Sequence, residues 1–289
     1  MSVAILTDTN SGISIEEGAK HDIFVIPMPV IVDGKDYLEQ ESITHNELYF
    51  QMRAKKDVAT SQPSPQILID KWNELLKRGY EQIVYIPMSS GLSNSCANAA
   101  EFAKEFADKV FVIDNHRISV TLRESVLDAK FLSEQGKSAK EIKEVLERNA
   151  YQSSIYITVN SLEYLKKSGR VTRTAAAIAT VLNIKPVLTI QGGKLDSFTK
   201  VKGMKKSILT MISAVSEDIK TRFADVPPER LVIGTAGTLE SQNDIDFWLN
   251  SVKNAFPDLH VYYNPLSCSI ACHTGINAIG LGISKIEAR

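Results

Sequence analysis

Short apolar runs alternate along this chain with stretches whose apolar residues recur every three or four positions. Residues 3–6, 83–86, 110–113 and 155–159 are brief, rich in valine and isoleucine, and followed by turn residues, a pattern that predicts strands. Helical patterns lie between them. Thr44 with Glu47 makes a capping-box pair that opens a helix to about residue 53. Ser64 before Pro65 sets an N-cap ahead of a first-turn proline. Ile67, Leu68, Trp72, Leu75 and Leu76 then share one helical face, and Gly79 ends the helix. Another helix is predicted over about 94–107, and Ser138 with Glu141 marks a second box before the apolar stretch 142–146.

Strands that alternate with helices need crossover connections, so residues 1–150 are expected to form a parallel sheet with helices on its faces. Residues 151–289 are expected to form a second α/β domain. Its predicted elements are helices over about 162–167, 174–182, 204–220 and 239–254, with strands over 186–190, 231–234, 260–263 and 281–286. Gln191-Gly192-Gly193-Lys194 reads as a hairpin turn. Ligands of parallel sheets bind outside the carboxyl ends of the strands. Two loops fall there, residues 8–12 and 88–94.

The 289 residues carry 33 Lys+Arg against 34 Asp+Glu, a net charge of −1, and are 44% hydrophobic. That is enough apolar material for a sizeable core, and it leaves no basic footprint for nucleic acid or an anionic membrane. No apolar run reaches the roughly 20 residues of a membrane span. The first ten residues lack the basic start and long apolar stretch of a signal peptide, so a cytoplasmic location is expected. Three cysteines make no disulfide framework and fit reduced thiols.

Two segments carry chemistry. Thr60-Ser61-Gln62-Pro63-Ser64-Pro65 places hydroxyls and an amide just before a helix, whose free N–H groups and dipole suit an anion. Ser89-Ser90-Gly91-Leu92-Ser93-Asn94-Ser95 does the same after a strand. Each, taken alone, is equally a capped polar turn. Neither has the lysine and spacing of a phosphate-binding loop, and no dinucleotide fingerprint occurs in the strand-to-helix turns. Cys268, Cys272 and His273 lack the second ligand cluster of a tetrahedral zinc site, so no metal or other cofactor is expected. Arg170 and Arg173, and Lys200, Lys202, Lys205 and Lys206, fit either solvated basic surface or contact with an acidic partner.

Taken together, T-S-Q-P-S about thirty residues before G-L-S-N-S, the segment Leu162 to Val171 and the run Ile184-Lys185-Pro186-Val187-Leu188 resemble the DegV family of fatty-acid-binding proteins. The opening Thr7-Asp8 and the Ile26-Pro27 to Asp33-Gly34 hairpin are similar too, so the resemblance spans nearly the whole chain. It implies a two-domain α/β fold with a long-chain fatty acid, such as palmitate, stearate or oleate, in the cleft between the domains. It places carboxylate ligands on Thr60, Ser61, Ser93, Asn94 and His273. It implies a non-catalytic protein that presents the acid to a separate ATP-dependent fatty acid kinase, docked through Arg170, Arg173 and Lys202. Contact with a membrane surface would be transient.

Three departures from the family pattern stand out. Gly275-Ile276-Asn277 replaces the usual Gly-Pro-Gly after the histidine. Asp114-Asn115 stands for Asp-Ser, with Thr121-Leu122-Arg123 in place of glycines, on segments expected to be loops. Lys202 replaces an arginine and lacks its planar fork. The physics suits the ligand. At about 0.8 kcal/mol per buried methylene, a sixteen-carbon tail supplies on the order of 12 kcal/mol before entropy costs. Neutral hydroxyls offset desolvation poorly, so burial should raise the carboxyl pKa unless His273 is protonated. Ala175, Ala176, Ala177, Ile178, Ala179, Val181 and Leu182 offer small side chains to line the tail, though ordinary packing explains them as well. Two other functions stay open: lipid transport or regulation without a kinase, and an acyl-processing enzyme using Ser93 and His273. The second lacks a G-x-S-x-G elbow and an evident acid for the histidine.

Overall fold

The computed structural model describes residues 2–177 and 184–289. The first half runs β1 (Val3–Asp8), α1 (Ile15–Lys20), β2 (Ile23–Ile26), β3 (Pro29–Val32), β4 (Lys35–Leu38), α2 (His45–Arg53), β5 (Val58–Thr60), α3 (Pro65–Lys77), β6 (Gln82–Ile86), α4 (Ser95–Ala103), β7 (Val110–Val112), α5 (Ser119–Glu134) and α6 (Ala139–Arg148). The second half runs β8 (Ser153–Thr158), α7 (Glu163–Ser168), α8 (Arg173–Ala176), β9 (Ile184–Ile190), β10 (Asp196–Lys202), α9 (Met204–Lys220), β11 (Leu231–Gly237), α10 (Gln242–Ala255), β12 (His260–Pro265), α11 (Cys268–Thr274) and β13 (Ile279–Lys285).

The parallel sheet expected of the first half is present, in the order β2-β1-β6-β7. Its helices carry the caps read from the sequence. Thr44 and Ser138 each close a full capping box, and Ser64 accepts from the Ile67 amide ahead of Pro65. A second, antiparallel sheet of order β4-β3-β5 grows from the Asp33-Gly34 turn. Both turn residues have positive φ, as a tight two-residue hairpin needs. The second half is built on a six-stranded sheet, β10-β9-β8-β13-β11-β12, antiparallel except where β11 meets β12. Helices α9 and α10 cover one face through Met211, Val215, Trp248 and Val252.

The other face meets α5, a helix that the sequence pattern does not predict. Its buried positions include Val120, Leu122, Glu124, Val126, Asp128 and Ala129, so no single apolar stripe marks it. The cause is its place. It packs on β1 of the parallel sheet and on β8, β11 and β13 of the large one, and so is buried on more than one side. Its acids are accounted for: the Tyr262 hydroxyl donates to Glu124 at 2.7 Å, and Arg289 pairs with both Glu124 and Asp128. Thr121, Leu122 and Arg123 therefore lie inside α5, which corrects their placement in a loop. One apolar cluster joins the halves, drawing Val84, Ile113 and Ile118 together with Ile155, Ile157 and Ala236.

None of the described helices is long and apolar enough to cross a membrane. Cys96, Cys268 and Cys272 are buried free thiols.

Candidate functional site

A cavity of about 280 Å³ opens where α5, the parallel-sheet loops and the large sheet converge. Ile118, Val120, Ile155, Ile157, Ile190 and Ala236 give it apolar walls. Its size sits near the lower end of the roughly 300–1,000 Å³ range of small-ligand sites. The polar lining is contiguous. Thr60 Oγ1 and His273 Nε2 are hydrogen-bonded at 2.9 Å, and Asn98 Nδ2 donates to Gln62 Oε1 at 2.8 Å. Ser61, Ser93, Asn94 and Arg170 border the same space. Among the described lining residues Arg170 is the one charged side chain.

Local structure sets each of these groups. Thr60 ends β5, which pairs with β3 and packs on α11. Ser267 caps α11, and the buried Glu39 accepts the Cys268 amide at 2.6 Å, which fixes the helix that carries His273. Glu39 also accepts from the Thr9 hydroxyl at 2.7 Å. The two helix N-termini proposed for anion binding differ. Ser64 occupies the N-terminus of α3, whereas the cap residue of α4, Asn94, makes no side-chain bond to its helix. At α4 the Ser93 hydroxyl accepts from the Ser95 amide at 3.2 Å, so one side chain beside the cavity already engages this helix start. Arg170 follows the left-handed Gly169 that ends α7; its Nε donates to Leu92 O at 3.4 Å and its Nη1 to Ser168 O. The Ser89 hydroxyl donates to Gly192 O at 2.9 Å, so the 88–94 loop is tied to the β9–β10 turn.

Burial, aided by the nearby Arg170 charge, pushes His273 down to about 4. The imidazole is therefore neutral at pH 7, and its Nδ1 is buried with no partner among the described residues. The cation beside a bound carboxylate would be Arg170, which the sequence reading assigned to partner docking.

The sequence-derived candidates divide cleanly. Thr60, Ser61, Ser93, Asn94 and His273 all border the cavity, and Arg170 joins them; Arg173 and Lys202 are exposed and do not line it. Gln62 and Asn98 were missed, although Asn98 lies one helical turn beyond Asn94. The 8–12 loop does not border the cavity. Asp8 accepts the Asn10 and Met88 amides, Ser267 donates to Asn10, and Asn264 donates to Gly12 O, so this loop braces the β12–α11 connection. Burial raises Asp8 to about 6 and Glu39 to about 7. Of the small residues expected along the tail, Ala175 is packed in the core and Ala177 is exposed. Ile178, Ala179, Val181 and Leu182 fall outside the described residues. Glu39, His45 and Cys268 also cluster, but their bonds are internal: Glu39 to α11 and Thr9, and His45 to Leu266 O at 2.9 Å.

A family model described as an uncharacterised protein, DegV family, matches residues 2–285. The chain belongs to the DegV family. A DegV domain-containing protein of Deinococcus radiodurans is 28% identical over 293 residues, covering 100% of both chains. Among solved structures, a fatty-acid-binding DegV protein from Thermus thermophilus superposes with a TM-score of 0.87 at 26% identity, over 99% of this chain and 100% of its own. The fatty-acid-binding DegV protein SAG1342 of Streptococcus agalactiae gives the same TM-score, identity and coverage. The two-domain α/β architecture of these DegV structures is that of this chain.

Proposed function

We propose that this DegV protein binds a long-chain fatty acid, tail in the cavity and carboxyl among Thr60, Ser61, Ser93, Asn94 and His273, and presents that carboxyl to a separate ATP-dependent kinase. The observation that carries the reading is an apolar cavity whose polar lining includes the Thr60–His273 pair, Ser93 and Asn94 at the start of α4, and Arg170 as the one cation among its described lining residues. Fatty-acid binding by the Thermus and Streptococcus relatives supports it. The tail supplies most of the affinity, at about 0.8 kcal/mol per methylene. The hydroxyls and Arg170 set which end faces out, in a cytoplasmic carrier that needs no cofactor of its own.

Two observations favour a carrier over a Ser/His enzyme. The hydroxyl bonded to His273 belongs to Thr60, while the Ser93 hydroxyl accepts from the Ser95 amide at 3.2 Å. The Nδ1 of His273 faces no carboxylate that would orient it as a base. Arg173 and Lys202 are exposed, as docking to an acidic kinase face would need. The kinase step is tested by combining the loaded protein, ATP and the host's kinase, then trapping acyl phosphate with hydroxylamine. Hydroxamate should form only when all three are present. Tight fatty acid binding with no acyl phosphate would instead mark a transport or regulatory protein.

A further inference from the structure

Strand β13 has two faces. Ile279, Leu281 and Ile283 belong to the core beneath α9 and α10, so Gly280 and Gly282, which alternate with them, face α5 and the cavity. Glycine in the middle of a strand weakens it and calls for a reason. Gly282 and its register partner Gly234 have one. A Cβ at Gly282 would stand 2.7 Å from Val120 Cγ2, and one at Gly234 would stand 2.4 Å from Val120 Cβ. Both glycines make room for α5.

Gly280 has no such reason. Among the described residues, a Cβ there would meet nothing closer than Tyr156 O at 3.7 Å, with Ala236 Cβ and Ile157 Cβ at 3.9 Å, which is ordinary contact. Its φ is not positive, so the backbone does not ask for glycine either. Ile157 and Ala236 are its register partners on either side, and all three line the cavity. The cavity's polar side chains include Ser119, Ser269 and Thr274 besides those around Thr60 and His273, and none of them supplies one of the three atoms nearest a Cβ at 280. The missing side chain thus leaves open a trough in the apolar part of the cavity. Two register positions along, over Gly282 and Gly234, Val120 fills the corresponding space.

We propose that Gly280 is a specificity-determining residue: the space its side chain would take is occupied by methylenes of the acyl tail, and this sets the length of chain admitted. The inference rests on the fatty-acid reading above. Delipidated wild type, Gly280→Val and Gly280→Ala are titrated with saturated acids from decanoate to octadecanoate. In the wild type, affinity rises along the series. Valine adds three carbons and displaces a similar number of methylenes, each of which accounts for about fourfold in affinity. Gly280→Val should therefore lose about 60-fold on octadecanoate and under about threefold on decanoate, with Gly280→Ala losing about fourfold on octadecanoate. A uniform loss along the series, or unchanged octadecanoate binding in the variants, overturns the proposal. Should the valine variant melt early, the alanine variant carries the test, since its one methyl meets only ordinary contacts. A wild type that binds none of the acids fails the underlying reading. A wild type that binds them beside variants with an unshifted profile fails only the role of Gly280.

Discussion

Thr60→Val tests the head-group site with little change in shape. Valine keeps the side-chain volume and removes the hydroxyl that is bonded to His273 Nε2 at 2.9 Å. A neutral hydrogen bond contributes about 1 kcal/mol net, and one to a charged group about 1.5–3 kcal/mol. The hydroxyl is half-buried, so the lower part of the charged range applies. A loss of about 2 kcal/mol corresponds to about 30-fold in affinity. The assay is calorimetric titration of delipidated wild type and variant with octadecanoate and with octadecan-1-ol. The alcohol has the same tail and no carboxylate. The acid should weaken by about 30-fold and the alcohol by under about threefold. An unchanged acid would remove Thr60 from the carboxyl site. An equal loss on both ligands would make Thr60 a wall residue that shapes the cavity without reading the head group.

Arg170→Met should raise the His273 pKa, because the guanidinium charge helps to hold it down, and should weaken fatty acid binding; an imidazole titration by NMR that is unmoved would remove Arg170 from the site's electrostatics. Burial raises Asp8 to about 6 and both Glu39 and Asp128 to about 7, so their contribution to stability is complete below about pH 4 and is lost as pH rises through those values. His273, held down near 4, and His45, also held down by burial, act oppositely, their contribution being lost as pH falls below the ordinary histidine value, but they are two groups against three. The melting temperature should therefore be higher at pH 5 than at pH 8, and Glu39→Gln should flatten that slope; a wild-type profile that climbs towards pH 8 would contradict the assignment. Gly234→Ala should overpack against Val120 and destabilise by about 1–3 kcal/mol, with partial rescue in the Gly234→Ala/Val120→Ala double variant. Thermal melts with no loss in the single variant would show that α5 is free to shift.

Where local chemistry decides structure, the chain was readable. Thr44, Ser64 and Ser138 cap helices with their own side chains, and the short valine- and isoleucine-rich runs at β1, β6 and β8 became strands. The readings failed where tertiary position decides. Helix α5 starts at Ile118 without a side-chain cap and is buried between two sheets, so it carries neither a start signal nor a stripe. The short α11 owes its hold partly to Glu39, some 230 residues away in sequence. The site was legible through its hydroxyls, because Thr60 and Ser93 sit in recognisable loops before helices. The roles of Arg170 and Gly280 were hidden, since both depend on which strands and loops the fold brings beside them. Two of the family departures can be placed: Asn277 takes the positive φ that glycine usually supplies, and Asn115 accepts the Arg117 amide at 3.1 Å, next to Asp114, which accepts the Ser90 and His116 amides.

Native mass spectrometry of the protein purified without detergent tests the central claim most directly. The account predicts a one-to-one adduct with the mass of a long-chain fatty acid, lost on delipidation and restored when octadecanoate is added back. An unmodified mass throughout, with no adduct even after octadecanoate is supplied, would contradict it.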